Sequence, residues 1–172
     1  FDRIIEKLSR LCAQDASCSQ RTSDFAQTLY AVNHNMPERW LFFKIDPASV
    51  RLGAHFMFMS SQNMPQVFDA YLAAAEGDPS GLAMANLYMS RIPLDRILVL
   101  GDSFSKAGSL DLEAYGGIET VRLGDSIMGA PGSEMSWPMG AGWPVELADP
   151  ALSRLQESDV EMLLVNGTID FA

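Results

Sequence analysis

Three breaks carrying proline limit how long any element can run in the first ninety residues, and they point to an assembly of short helices. Asp46-Pro47 has the form of a helix start, with a side-chain acceptor at the cap and a proline whose missing N–H is not needed there. Asn63-Met64-Pro65 opens another helix, with Val67, Phe68, Tyr71, Leu72 and Ala75 at helical spacing. Glu76-Gly77-Asp78-Pro79 stops it, because glycine accepts the left-handed conformation and proline forbids continuation. Ser80 then begins a helix through Leu82, Ala83, Leu87 and Tyr88. Upstream, Ile4, Ile5, Leu8, Leu11 and Cys12 predict a helix over 1–13, and a Thr22-Ser23 cap predicts a second through Phe25, Leu29, Tyr30 and Val32. Leu52, His55, Phe56 and Met59 share one stripe of the helix after Pro47, while Trp40 to Ile45 reads either as a short extended segment or as a buried turn.

The remainder has a different texture. Ile97-Leu98-Val99-Leu100 reads as a short strand, and residues 101–144 are rich in Gly, Ser, Met and Trp, the composition of a long irregular loop system. Loops of that length are functional lids or binding loops when ordered. Within them, Met128, Met135, Trp137, Met139 and Trp143 are candidates for lining a pocket. Asp149-Pro150 caps a helix reaching about residue 157, and residues 160–166 predict an apolar strand that ends in Gly167-Thr168-Ile169-Asp170.

Charge narrows the partners. The 172 residues carry a formal net charge of -10, and the twelve basic side chains are scattered, so nucleic acid is not an expected partner and an anionic membrane surface is disfavoured. No apolar run reaches the roughly 20 residues of a membrane span, and Phe1-Asp2-Arg3-Ile4-Ile5 has no signal-peptide character. The start and the apolar strand near the end read as the interior of a longer protein. An unpaired terminal strand would also favour self-association through its edges. The two cysteines, Cys12 and Cys18, either pair across a turn at Asp15-Ala16-Ser17 or sit as two small buried thiols. No third Cys or His stands near them to complete a zinc site, and neither a metal nor another cofactor is expected.

A carboxylate at the carboxyl end of a strand stands where open α/β folds assemble their sites. Asp170 there either makes a turn or accepts a hydrogen bond from a histidine that takes a proton from a serine. Val165-Asn166-Gly167-Thr168-Ile169-Asp170-Phe171-Ala172 resembles the acid-strand motif of α/β-hydrolases similar to the tripeptidyl aminopeptidase and proline iminopeptidase group. Leu11 to Cys18 resembles that group's paired-cysteine segment early in the lid. Met64-Pro65 through Gly77-Asp78 is similar to a lid helix, and Gly142-Trp143-Pro144 to an element preceding the acid strand.

The resemblance implies a mainly α chain, the helical lid of an α/β-hydrolase with a short piece of its parallel sheet at the carboxyl end. Residues 1–144 would be the lid and residues 145–172 the core helix and strand carrying the catalytic Asp170. It implies a secreted or periplasmic serine hydrolase, lipid-anchored in some settings through an amino terminus outside this chain, that cuts peptides, amides or esters. The chain has no Gly-x-Ser-x-Gly and no histidine after Asp170, so the nucleophile and base would lie in the rest of the hydrolase core, and this piece alone would be inactive. His34 and His55, both upstream, read as structural. Two other readings stand beside it. Gly101-Asp102-Ser103-Phe104-Ser105 resembles the nucleophile block of Gly-Asp-Ser-Leu esterases, with Ser103 attacking; alternatively, the methionines and aromatics belong to a non-catalytic secreted helical binding module.

Overall fold

The computed structural model describes residues 2–91, 123–129, 131, 159–161, 163 and 167. Among these the chain is mainly helical, with six helices and one two-stranded antiparallel hairpin.

Helix α1 (Asp2–Gln14) buries Ile5, Leu8 and Cys12, spaced three and four residues apart, so they line one face. Leu11, expected on that face, is instead exposed. The chain then bends at Asp15, whose Oδ1 accepts from the backbone N–H groups of Ser17 (2.9 Å) and Cys18 (2.8 Å) and so starts the short α2 (Ala16–Ser19). That bend brings the two cysteine Cα atoms to 5.2 Å, and Cys12 and Cys18 form a disulfide.

Helix α3 (Phe25–His34) starts one residue later than a cap at Ser23 predicts. Its N-cap is Asp24, which accepts from the Gln27 N–H, while Thr22 pairs with the Thr28 hydroxyl. Helix α4 (Pro47–Phe58) starts where Asp46-Pro47 places it, with Asp46 Oδ2 accepting from Ser49 N–H (2.9 Å) and Ser49 Oγ–H (2.6 Å). Its buried side is not the expected stripe: Leu52 is buried, but Phe56 and Met59 are exposed, and Val50, Arg51, Gly53, Ala54 and Phe58 are inside. Helix α5 (Met64–Ala75) ends in a full Schellman closure, with Asp78 N–H donating to Ala73 O (2.8 Å) and Gly77 N–H to Ala74 O (3.1 Å), and Gly77 at φ +100°. Helix α6 (Ser80–Ser90) follows at once.

α4 packs on α6, α6 on α5, α5 on α3 and α3 on α1, with α4 also touching α5. The core between them holds Ile5, Phe25, Leu29, Val50, Phe58, Tyr71 and Leu82, and Phe25 stacks on Phe68 at 3.8 Å. The ambiguous stretch resolves as a hairpin of β1 (Arg39–Trp40) and β2 (Phe43–Lys44), in which Arg39 faces Lys44 and Trp40 faces Phe43. Asn86 of α6 holds it at the base, accepting from Asp46 N–H (3.1 Å) and donating to Lys44 O (3.0 Å).

The strand of 97–100, the helix of 149–157 and most of the strand of 160–166 lie outside the described residues. Val160, Glu161 and Leu163 of that last segment are exposed.

Because the disulfide closes a loop with a sequence separation of 6, removing it frees little chain in the unfolded state. Replacing Cys12 and Cys18 by alanine is expected to lower unfolding free energy by about 2 kcal/mol, read from denaturant midpoints. Equal midpoints with and without reductant would show that the bond does not form.

Candidate functional site

Helices that approach closely leave space beside the contact when the contact residues are small. Gly81 of α6 lies against Ala70 of α5: a Cβ on Gly81 would meet the Ala70 Cβ at 2.8 Å. Gly53 of α4 lies against Met89 of α6, where a Cβ would meet the Met89 side chain at 3.1 Å. Around these crossings α4, α5 and α6 enclose a cleft of about 500 Å³. Gly53, Ala54, Ala70, Gly81 and Ala85 form much of its wall, with Val50, Val67 and Leu82. Met57, Met84 and Tyr88 also line it, and Met84 and Tyr88 are exposed to solvent. Asn63 and Gln66, one turn apart, contribute two carboxamides.

Tyr71 lines the same cleft but is fully buried, and its hydroxyl donates to Asn33 Oδ1 at 2.9 Å. Burial pushes its phenol well above the ordinary range, although the nearby Arg51 charge and the Asn33 hydrogen bond oppose that shift. Its proton is therefore held at neutral pH. Asn33 in turn donates from Nδ2 to Ile127 O at 2.7 Å, fixing the 123–129 segment to α3. His34 adds to that attachment: Nδ1 lies 2.8 Å from Tyr30 O and Nε2 lies 2.9 Å from Gly124 O, with the ring stacked on Tyr30.

Among the described residues lining the cleft there is no carboxylate, histidine, lysine, arginine, serine or cysteine, and the ionisable groups are the phenols of Tyr71 and Tyr88. Such a cleft can take up an apolar group and hydrogen-bond it through carboxamides. No group of three or more His, Cys, Asp or Glu side chains among the described residues could hold a metal ion. Met128 is fully buried in the core and is not among the residues lining this cleft. Asp170, Ser103, Met135, Trp137, Met139 and Trp143 lie outside the described residues. His34 and His55 do not line the cleft. Sequence reading did not anticipate the cleft; its one written trace is the run of glycine and alanine at Gly53-Ala54, Ala70, Gly81 and Ala85.

The chain matches no protein-family model, no curated protein and no solved structure.

Tyr71→Phe leaves the Asn33 carbonyl oxygen buried without its donor, so a loss of about 1–3 kcal/mol in unfolding free energy is expected from chemical denaturation. A second expectation concerns acid. Burial holds the His55 imidazole below its usual 6.5, so below that pH the unfolded chain takes up a proton that the folded chain resists. The corresponding stability is fully present above 6.5 and is lost as pH falls from there through the lowered value of the folded chain. The denaturation midpoint should drop on mild acidification, and His55→Gln should flatten that drop.

Proposed function

We propose that the chain is the substrate-covering lid, with the acid-bearing segment, of a secreted serine hydrolase of the peptidase or aminopeptidase-like kind. The observation that carries this reading is the Cys12–Cys18 disulfide, which is the paired-cysteine element of the resemblance and requires an oxidising compartment to persist. No described helix is long and apolar enough to cross a membrane. The α4–α5–α6 cleft suits a cover, since it offers apolar surface with few polar groups.

In this reading a serine hydroxyl elsewhere in the hydrolase core attacks the carbonyl of a peptide, amide or ester. Its proton passes to a histidine, and the acyl group passes from serine to water. Asp170 accepts the other N–H of that histidine, fixing its tautomer and stabilising the imidazolium. The lid restricts which substrates reach the serine and keeps bulk water out until the acyl-enzyme forms.

The test is Asp170→Asn in the uninterrupted reading frame. A fall in kcat on the order of 10⁴-fold, with KM little changed and folding intact, is expected for a triad acid. Unchanged kcat would overturn the assignment. Ester hydrolysis by residues 1–172 alone, abolished by Ser103→Ala, would replace it with the esterase reading.

A further inference from the structure

Leu41 and Phe42 form the two-residue turn of the hairpin and are 71% and 77% exposed. Leu41 has φ +53°, the left-handed region that asparagine and glycine occupy easily and that leucine enters at a cost. An apolar pair held outward in such a turn gives up both burial and backbone comfort. The tip is nevertheless rigidly built: Phe42 lies at 4.4 Å from the Phe43 ring, Phe43 stacks with Trp40 at 6.0 Å, and Trp40 packs on the core. Below it, Asn86 and the Ile45 N–H bond to Glu38 O fasten both strands.

Charge supplies the second observation. Arg39 and Lys44 stand directly opposite each other across the two strands, and both are exposed. Like charges in that position repel, and neither has a carboxylate within ion-pair distance among the described residues. Among the described residues neither cation is engaged in an ion pair, and both are open to an external anion.

We propose that this hairpin is a membrane-contact wedge, inserting Leu41 and Phe42 among the acyl chains of an anionic phospholipid surface while Arg39 and Lys44 meet the headgroup phosphates. The tip offers on the order of 300 Å² of apolar area, so two copies meeting through it would bury about 600 Å² in total, half of the roughly 1,200 Å² that a stable protein interface needs, which argues against a second copy as its occupant. A bilayer needs no matching pocket and takes up a small protruding tip, with aromatic rings at the interface and long cationic side chains reaching the phosphates. This proposal is independent of the hydrolase reading.

The experiment measures sedimentation of the full chain with vesicles of phosphatidylcholine mixed with phosphatidylserine, and with phosphatidylcholine alone. Salt-sensitive binding to the mixed vesicles is expected, with little to phosphatidylcholine. The double variant Leu41→Gly/Phe42→Asn puts glycine at the one turn position with positive φ and should melt no lower than the parent, yet bind at least about tenfold more weakly. Arg39→Gln and Lys44→Gln, surface changes that leave the turn alone, should each weaken binding about fivefold and reduce its salt dependence. Absence of binding to mixed vesicles, retained binding by the folded double variant, or a concentration-dependent oligomer that the double variant abolishes would each overturn the proposal.

Discussion

A phenol, a carboxamide and a backbone carbonyl form a polar line through a largely apolar interior, and three separate parts of the chain meet on it. Tyr71 of α5 donates to Asn33 of α3, and Asn33 donates to Ile127, 94 residues further along. Apolar contact alone would let these elements slide, because it has no direction; a buried hydrogen bond does, and losing one partner strands the other. Asp2 contributes from α1, accepting from the Ile127 N–H at 3.2 Å, and Met128 beside it is fully buried in the core. The amino-terminal helix, the carboxyl end of α3, helix α5 and the distant 123–129 segment are thereby fixed in one register.

The cleft and the hairpin share a support. Helix α6 lines the cleft with Met84, Ala85 and Tyr88, and between these positions Asn86 grips the base of the hairpin. Gly81, at the start of the same helix, sets how near α6 comes to α5. A single helix therefore determines the cleft's width and the hairpin's orientation. Substitutions that move α6 would disturb both, whereas substitutions at the hairpin tip touch only one.

Helix starts and stops were largely legible because they depend on local chemistry. Asp46-Pro47 and Gly77-Asp78-Pro79 act within one turn of chain, and the bend at Asp15 that pairs the cysteines is equally local. Where a distant partner decides, the residues mislead. Thr22, Ser23 and Asp24 are three capping types in a row, and Asp24 prevails with the Ser9 hydroxyl of α1 donating to it at 2.8 Å, which also holds its carboxyl below the usual range. On α4, a stripe chosen by apolar character picks Phe56 and Met59. The buried side is instead set by close approach at Gly53 and Ala54, which carry almost no hydrophobic signal. The cleft was illegible for the same reason, since small side chains mark it by what they lack. The positions on which the hydrolase resemblance rests most heavily, Asp170 and the Trp143 element, lie outside the described residues.

Whole-chain charge is also a poor guide to a local surface. The net -10 disfavours an anionic membrane only if the charges act together, yet residues 2–91 hold eight basic and nine acidic side chains, so most of the excess belongs to the later sequence. At physiological ionic strength, fields between exposed charges fade over roughly 8 Å, about the span of a few residues of strand. What a membrane meets at the hairpin is therefore set by Arg39 and Lys44, paired on one face, and by the nearby Glu38 and Asp46, rather than by an average. Glu38 and Asp46 sit further from the tip along each strand, behind the cations. An approaching phosphate reaches the two cations first, and the turn residues ahead of them enter the acyl region without carrying any charge with them.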